Sequence, residues 1–397
     1  MKTKIFCVLL VLMSLTSCNL KKDNNNEKIA TQQEMRAVWI SYYEYDFLNE
    51  DLENIKNKID LMFENISALN LNTVFVHVRG NADAIYDSKY FTHYKNLENL
   101  RREHPDFDLF EYMIESANDN NLKIHAWINP FRVSNSSGDI NTLPDGHIAK
   151  KWYNEGNIDN KIVSYDNKLF FNPASLEVRE LILNGVREIV DNYKVDGIHF
   201  DDYFYPTTDK AFDAQNYTAY CQKTAYPLNL KDWRTTNISA LISAVKQITQ
   251  KNNIIFGVSP SAYVDGDYLQ SNGYADIKKW MSSDCFVDYI IPQIYWGFEY
   301  PDENFCFDTL VNKWNGIRKN NSVKLYVGLA AYKSGTYDQN NEWIENSDIL
   351  KRQILYLRNS KINGFSLFSY SYVFSDNIAC VKEKNNMATI LNKNSGY

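Results

Sequence analysis

The sequence contains no long run of lysine or arginine, and its 397 residues carry a formal net charge of −7. A protein that binds nucleic acid needs a basic face that neutralises phosphates, and this sequence does not supply one. We therefore exclude nucleic acid from the expected partners. Hydrophobic residues make up 44% of the chain and charged residues 23%, which is the composition of an ordinary globular protein.

Several catalytic motifs are also missing. Neither the G-x-S-x-G of acyl-transfer enzymes, nor a P-loop, nor a G-x-G-x-x-G dinucleotide fingerprint occurs in a strand–helix context. No C-x-x-C occurs either, which argues against a zinc site or a redox motif, and we expect no cofactor and no metal. Beyond the N-terminal segment the cysteines lie far apart, at Cys221, Cys285, Cys306 and Cys380.

The N-terminus has the pattern of an export signal. Lys2 and Lys4 precede an apolar run over residues 5–15, which is too short to span a membrane, and small residues follow it. The ending Leu-Thr-Ser-Cys resembles the bacterial lipobox, which implies cleavage before Cys18 and acylation of that cysteine. We expect a signal peptide at 1–18 and a flexible tether at 19–33, so that the protein is exported and held at a bacterial membrane by lipid. The alternative is a plain signal peptide in which Cys18 is incidental.

From residue 34 to residue 395, short apolar runs alternate with amphipathic stretches. Eight runs of four to six residues are typical of strands buried on both faces of a parallel sheet: 36–41, 73–78, 123–127, 197–200, 254–258, 289–294, 324–329 and 364–368. Helical periodicity separates these runs. The order predicts an α/β fold, a single (β/α)8 TIM barrel, with long βα-loops at 79–107, 128–170, 203–235 and 259–280.

Barrel enzymes place their chemistry at the carboxyl ends of the strands. In this chain those positions are polar or aromatic: Tyr42, Glu44, Arg79, Asp83, Trp127, Asn129, Arg132, Asp201, Asp202, Tyr203, Ser259, Gln293, Tyr295, Trp296, Tyr332, Ser369 and Tyr370.

The stretch "KVDGIHFDDYFYP" ends the fourth predicted strand with two adjacent carboxylates. Strand alternation puts His199, Asp201 and Tyr203 on one side, so that Asp201 faces a desolvated cup with Asp202 beside it. Desolvation and like charge both raise a carboxyl pKa, so one of the pair can stay protonated and act as a general acid, as glycoside hydrolysis requires. Alternatively, the aspartates cap the following loop or pair with Arg132 or Arg179.

His77, His125 and His199 lie two residues below the rim on three consecutive predicted strands and suggest a metal site. The first strand lacks the H-x-H that metal-dependent barrel hydrolases carry there, however, and histidines at this depth are more often hydrogen-bonded core groups. Aromatic side chains at the rim favour a platform for sugar rings, although each alone is more often a packing residue. The aromatic residues concerned are Trp127, Tyr203, Tyr295 and Trp296.

Seven sequence blocks resemble the glycosyl hydrolase-like 10 family of bacterial lipoproteins: "RAVWIS", "NTVFVHVRGNADAIY", "LKIHAWINPFRVS", "FFNPASLEVRELI", "VDGIHFDDYFYP", "DWR" and "VDYIIPQIYW". The similarity covers about residues 34–375 in the same order. It implies a (β/α)8 glycosidase acting on bacterial cell-wall glycan, on strands stripped of their stem peptides. The chain departs from the family at Gly80 and Ala82, where Pro and Gly are usual. The resemblance implies as site residues Arg79, Asp83, Trp127, Asn129, Arg132, Asp201, Asp202, Gln293 and Tyr295.

The block at the fourth predicted strand, "VDGIHFDDYFYP", is also similar, more distantly, to the D-G-x-D-x-D-x-E signature of family 18 chitinases. Phe204 or Tyr203 replaces the glutamate that is the acid there, so Asp202 or Asp201 has to supply the proton. Tyr295 after Gln293 is similar to a chitinase tyrosine that steadies a substrate N-acetyl group, which leaves substrate-assisted hydrolysis open.

These patterns together predict a monomeric, exported, lipid-anchored glycoside hydrolase of N-acetylated cell-wall glycan, with Asp202 and Asp201 as catalytic residues and Asp202 ranked first as the proton donor. Two alternatives remain, a glycan-binding lipoprotein without activity and a metal-dependent polysaccharide deacetylase or hydrolase. We expect these residues to bind substrate: Arg79, Asp83, Trp127, Asn129, Arg132, His199, Tyr203, Gln293, Tyr295 and Trp296.

Overall fold

The computed structural model describes residues 34–391 of the chain. The predicted signal peptide, the acylated Cys18 and the tether lie outside the described residues. Within residues 34–391, no helix is both long enough and apolar enough to cross a bilayer.

Parallel strands form the centre of the fold, and they close into a barrel. The seventh strand is divided by Tyr326 into two segments, the first paired with the sixth strand and the second with the eighth. The first six strands pair with their neighbours in chain order, and the eighth pairs with the first. The (β/α)8 prediction is therefore confirmed. The strands are β1 Met35–Ile40, β2 Thr73–Arg79, β3 Lys123–Ile128, β4 Gly197–Phe200, β5 Ile255–Val258, β6 Tyr289–Ile290, β7 Lys324–Leu325 with Val327–Leu329, and β8 Gly364–Leu367.

One predicted strand is shorter in the structure than in the sequence pattern. The sixth run was expected over 289–294, but β6 ends at Ile290. Pro292 has no backbone N–H to donate, which interrupts the ladder. Gln293 then makes isolated bridges with Ser261 and Gly328, so the barrel wall continues beyond the interruption.

Helices cover the outside of the barrel, one after each strand. Asp108 begins the second helix, where its carboxylate accepts hydrogen bonds from the backbone of Phe110 and Glu111 over 2.9 and 3.1 Å. The fifth helix is a single turn. These helices are α1 Leu52–Ala68, α2 Leu109–Asp119, α3 Leu176–Asn192, α4 Leu230–Lys251, α5 Ile277–Trp280, α6 Phe307–Ile317, α7 Ile349–Asn359 and α8 Ile378–Leu391.

The long loops at the carboxyl ends of the strands carry secondary structure of their own. Two small sheets lie there, one of Asp83–Ala84 with Thr92–His93, the other of Arg132–Ser134, Lys168–Phe171 and Ile162–Tyr165. Short α-helices lie at Glu98–Glu103, Ile148–Asn154, Ala214–Lys223, Tyr268–Ser271, Glu342–Glu345 and Tyr370–Val373. Turns of 3-10 helix lie at Tyr42–Glu44, Asp46–Asn49, Lys95–Leu97, Ile140–Thr142, Ile158–Asn160, Lys210–Asp213, Glu303–Phe305 and Ala331–Lys333.

The interior of the barrel is filled by large side chains rather than by a channel. Trp39 on β1 lies beside Phe75 on β2, with ring centroids 5.5 Å apart, while their neighbours Val38 and Val76 face the helices. The inward residues form one buried cluster that closes the barrel below its rim: Met35, Ala37, Trp39, Phe75, Trp127, Tyr289, Ile291 and Tyr326. A substrate is therefore confined to the rim.

Candidate active site

Asp201 follows directly after β4 and is almost completely buried, with 3% of its surface exposed. The indole N–H of Trp127 donates to Asp201 Oδ2 over 3.1 Å, and the backbone N–H of Tyr203 donates to Oδ1 over 3.3 Å. Burial, and then the charge of Asp202, raise the pKa of Asp201 to about 7. This carboxyl group can therefore hold a proton near neutral pH.

Asp202 is partly exposed and lines a cavity of about 520 Å³. Burial raises the pKa of Asp202, whereas a hydrogen bond from the Gln293 side chain lowers it. The Gln293 amide also donates to the carbonyl oxygen of Ser259 over 2.9 Å, which fixes its orientation. The charge of Asp202 contributes to the raised pKa of Asp201, so Asp201 retains its proton to a higher pH than an ordinary aspartate does.

Arg132 is a buried cation next to this pair. Its Nε and Nη2 donate to the carbonyl oxygen of Gly80 over 2.9 and 2.7 Å. The guanidinium also lies over the rings of Tyr203 and Tyr42, at 4.6 and 5.7 Å from their centroids. Asn129 Oδ1 accepts a hydrogen bond from the Arg132 backbone over 3.1 Å, which ties the loop down. Arg132 is therefore held rigidly by several contacts.

The positive charge of Arg132 lowers the pKa of both Asp201 and Asp202. No ion pair joins it to either aspartate within residues 34–391, and Arg179 donates to the carbonyl oxygens of Pro173 and Ala174 instead. The two carboxylates are thus not neutralised by a structural salt bridge. The following loop contributes one long hydrogen bond to the pair, from the backbone N–H of Tyr203 to Asp201 Oδ1.

Aromatic side chains surround the carboxylates. Trp127 stacks on His77 with centroids 3.6 Å apart and an interplanar angle of 9°. Burial, and then the nearby Tyr332 and the charge of Asp202, raise the pKa of Tyr295 well above its usual value. The ring of Tyr295 lies 5.7 Å from Tyr332 and 5.8 Å from Phe368.

Tyr332 and Phe368 were not among the predicted binding residues. Tyr332 was recognised as a rim residue, and Phe368 ends the eighth apolar run, where alternation points it inward. Phe368 packs edge-on against Trp127 at 6.4 Å. The available signal was their position at strand ends, which by itself does not separate a site residue from a packing residue.

His199 lies one layer below the aspartates rather than at the surface that faces substrate. It is fully buried, its Nε2 is 3.0 Å from Ser259 Oγ and 3.3 Å from Trp39 Nε1, and its Nδ1 is 3.2 Å from the Tyr289 hydroxyl. Burial, and then His125, hold the pKa of His199 well below its usual value. This neutral imidazole supports the floor of the site.

The three histidines do not assemble a metal centre. Tyr289 OH lies 2.8 Å from His125 Nδ1, and burial lowers the pKa of His125 to about 4. His77 is engaged by its stack with Trp127. Within the described part of the chain, no group of three or more His, Cys, Asp or Glu side chains is arranged to hold a metal ion.

Arg79 and Trp296 lie away from the carboxylate pair. The Arg79 guanidinium is 1% exposed and lies over the Phe91 ring at 4.2 Å, against α3 at Gly185. A side chain buried in this way offers no surface to a ligand. Trp296 packs against Phe305, with centroids 5.2 Å apart, in the outer cluster.

Asp83 lies in a second cavity of about 630 Å³, which shares Asn135 with the first. Burial raises the pKa of Asp83 to about 6. The nearby departure from the family pattern has a local reason, because a Cβ at Gly80 would lie 2.5 Å from Tyr42 Cδ1. The loop before Asp83 therefore depends on glycine at this position.

Comparison with known proteins gives both a family and a fold. A model of the family described as Glycosyl hydrolase-like 10 matches residues 34–345. The glycosyl hydrolase DigH of Escherichia coli K12 is 28% identical over 380 residues, covering 86% of this chain and 84% of DigH. The glycosyl hydrolase YngK of Bacillus subtilis is 31% identical over 327 residues, covering 76% of this chain, and the chain spans only 62% of that relative's length.

Two solved structures share the architecture at low identity. The glycoside hydrolase domain of PgaB (BpsB) from Bordetella bronchiseptica superposes with a TM-score of 0.59 at 12% identity, covering 89% of this chain and 99% of that domain. An endo-1,4-beta-mannanase from Rhizomucor miehei gives a TM-score of 0.53 at 12% identity, covering 90% of this chain and 95% of that protein. At these identities, the similarity establishes the barrel fold alone.

Proposed function

The chain belongs to the glycosyl hydrolase-like 10 family, and we propose that it is a glycoside hydrolase that cleaves O-glycosidic bonds in N-acetylated bacterial cell-wall glycan by carboxylate acid–base catalysis. The observation that carries this proposal is the adjacent pair Asp201 and Asp202, in which the pKa of Asp201 is raised to about 7. A carboxyl group that keeps its proton near neutrality can protonate a leaving sugar oxygen.

The two carboxylates take different roles in this proposal. Asp202 lines the cavity beside the pair, so it is the group that reaches the scissile oxygen and donates the proton. Asp201, which is buried and accepts a hydrogen bond from Trp127, is a positioning residue in this proposal, and its raised pKa lets it store the proton that Asp202 delivers. When the proton leaves with the aglycone and the anomeric C–O bond breaks, the remaining negative charge stabilises the positive charge that develops on the sugar ring. Water then adds at the anomeric carbon and returns a proton to the pair.

The surrounding groups suit a sugar bound over this pair. Tyr203, which is 48% exposed, and the partly exposed ring of Tyr295 supply flat apolar surfaces beside hydrogen-bonding groups, whereas the buried Trp127 acts through its hydrogen bond to Asp201. Gln293 holds Asp202 from below. In this proposal the hydroxyl group of Tyr295 binds the N-acetyl group of the substrate, and the resemblance of the sequence to family 18 chitinases supports this role.

The test is to incubate the purified mature chain with peptidoglycan strands stripped of their peptides and, separately, with chitin oligomers. We expect new reducing ends and shortened oligosaccharides by mass spectrometry, first from the peptidoglycan strands. Chelation with EDTA should leave the rate unchanged, since a metal-dependent deacetylase would stop and would release acetate. Binding without any cleavage would overturn the catalytic proposal in favour of a glycan-binding protein.

We also propose that the protein acts at the cell envelope. The support is the N-terminal pattern ending at Cys18, which is typical of an exported lipoprotein. A lipid anchor on the tether of residues 19–33 would hold the barrel, acting as a monomer, close to wall glycan.

A further inference from the structure

The cavity that Asp202 lines is also lined by two cationic side chains, Arg132 and Lys168, which lie on one small sheet. That sheet is the three-stranded one in which Lys168–Phe171 is the central strand. Arg132 on one neighbouring strand pairs with Phe170, and the strand Ile162–Tyr165 pairs on the other side. A central strand with both edges paired is held in place, so side chains on it have a defined direction.

Strand alternation turns Lys168 into the cavity. Successive side chains of a strand point to opposite faces, so Lys168 shares a face with Phe170 and not with Leu169. Leu169 is buried in the core, whereas Lys168, Phe170, Arg132 and Asp202 all line the cavity of about 520 Å³. The ammonium group and the catalytic carboxylate therefore share one cavity.

Lys168 and Arg132 both have N–H donors available for a ligand. Among the described residues Lys168 makes no ion pair, including with Asp166, which lines the same cavity. Arg132 uses Nε and Nη2 on Gly80, and its Nη1 donates to no other group in residues 34–391. A partly buried cleft that presents an unengaged ammonium and one guanidinium N–H fits an anion of single charge.

We propose that Lys168, with Nη1 of Arg132, binds a carboxylate that the glycan carries on the sugar next to the scissile bond. The inference rests on the proposed glycosidase function and narrows its substrate to an acidic N-acetylated glycan, such as one whose sugars carry a lactyl ether. Asp202 and Asp166 in the same cavity repel a second negative charge, so a polyanionic phosphate is not the ligand. The contact also places the carboxylate at a fixed distance from the proton donor and sets the position of the scissile bond.

The test compares one glycan in two charge states. Stripped peptidoglycan strands, in which the carboxylate is on the lactyl group, are used as such and after carbodiimide-mediated amidation of that carboxylate. Wild-type protein should show a kcat/KM for the carboxylate form at least about tenfold above that for the amide, which is the effect of one charge-assisted hydrogen bond of about 1.4 kcal/mol. Hyaluronan oligomers, with the carboxylate on the sugar ring, distinguish a lactyl from a ring carboxylate.

The variants separate charge recognition from general damage. Lys168→Gln should reduce the carboxylate-to-amide ratio to about one, mainly through KM, and should weaken the salt dependence of KM. Lys168→Arg should keep the preference. The matched control is Lys251→Gln, an exposed lysine at the C-terminal end of α4, which should keep the wild-type ratio.

The two proposals can fail separately. If wild-type protein cleaves both forms equally, or if Lys168→Gln keeps the preference, the carboxylate contact is wrong while the glycosidase proposal stands. If wild-type protein cleaves neither form nor any chitin oligomer, the proposed function fails and the inference fails with it.

Discussion

The indole N–H of Trp127 donates to Asp201 Oδ2 over 3.1 Å, so the residue that ends β3 fixes the carboxylate that follows β4. The same indole stacks face to face on His77 of β2. Three neighbouring strands are thereby joined at the rim through one side chain. The bond also has an electrostatic effect, because it stabilises the ionised form and lowers the pKa of Asp201.

Trp127→Phe should shift the alkaline limb of the pH–rate profile to higher pH. Phenylalanine keeps an aromatic ring against His77 but has no N–H, so the ionised form of Asp201 loses a donor and its pKa rises further above about 7. The measurement is kcat/KM against pH on a soluble glycan. An unchanged limb would mean that Asp201 does not control the alkaline ionisation. Trp152→Phe, on a different aromatic contact with Phe171, is the control for losing an indole.

Asp202→Asn should reduce turnover of natural glycan by about 10²–10⁴-fold, which is the usual contribution of a general acid. Asparagine keeps the size of the side chain but cannot donate a titrating proton. Dinitrophenolate leaves without being protonated. The variant should therefore lose much less activity on a dinitrophenyl glycoside than on natural glycan. Equal losses on both substrates would assign Asp202 a different role. Asp191→Asn, at an exposed position near the end of α3, should behave as wild type.

Arg132→Lys should lower turnover and also the thermal midpoint. Lysine can replace only one of the two hydrogen bonds to Gly80 and cannot stack its plane on Tyr203. We expect a loss of about 1–2 kcal/mol in the free energy of unfolding from the missing bond. Circular dichroism melting and kcat/KM check the two effects. Arg187→Lys, which changes an exposed ion pair with Glu180, should alter neither the thermal midpoint nor kcat/KM. Full activity in Arg132→Lys would show that the guanidinium fork is dispensable.

Cys18→Ser should move the protein from the membrane fraction to the soluble envelope fraction. Two or more acyl chains, at about 0.8 kcal/mol for each buried methylene group, anchor a protein firmly, and serine cannot be acylated by thioether formation. Cys7→Ser, within the apolar part of the signal, should remain with the membrane. Fractionation followed by immunoblotting measures both variants. A Cys18→Ser protein that stays membrane-bound would place the anchor elsewhere.

The barrel and its rim could be predicted from the sequence because both follow from local patterns. Eight buried apolar runs specify parallel strands, and the residue that ends each run must lie at the rim, which located Asp201, Asp202 and Trp127. The depth of each side chain below the rim of the barrel was harder to predict. His199 has the right alternation but lies one layer lower, where Tyr289 and Ser259 hold it.

Side-chain direction after a strand ends could not be predicted from alternation. The pairing of β2 with β3 shifts register between His77 and Arg79, so Arg79 turns towards α3 instead of the site. Trp296 likewise follows an interrupted strand and packs outward on Phe305. The contact of Phe368 with Trp127 joins the end of the eighth strand to the third strand across the barrel, which no local pattern encodes.

Asp201→Asn should make the protein less active but more stable at alkaline pH. The pKa of Asp201 is about 7 in the folded protein, against an ordinary value of 3.8 that applies to the unfolded chain. Between these values the folded state binds more protons than the unfolded state, so the free energy of unfolding decreases as pH rises from about 4 to about 7. This loss of stability is absent well below pH 4 and complete well above pH 7, where it amounts to about 4 kcal/mol. Asparagine does not ionise and still accepts from Trp127, so the variant avoids this loss. Urea unfolding at pH 4.5 and pH 8 should therefore show a stability gain over wild type that grows with pH, whereas Asp191→Asn should track wild type at both. A difference that stays constant between the two pH values would show that Asp201 ionises normally in the folded protein and does not store the catalytic proton.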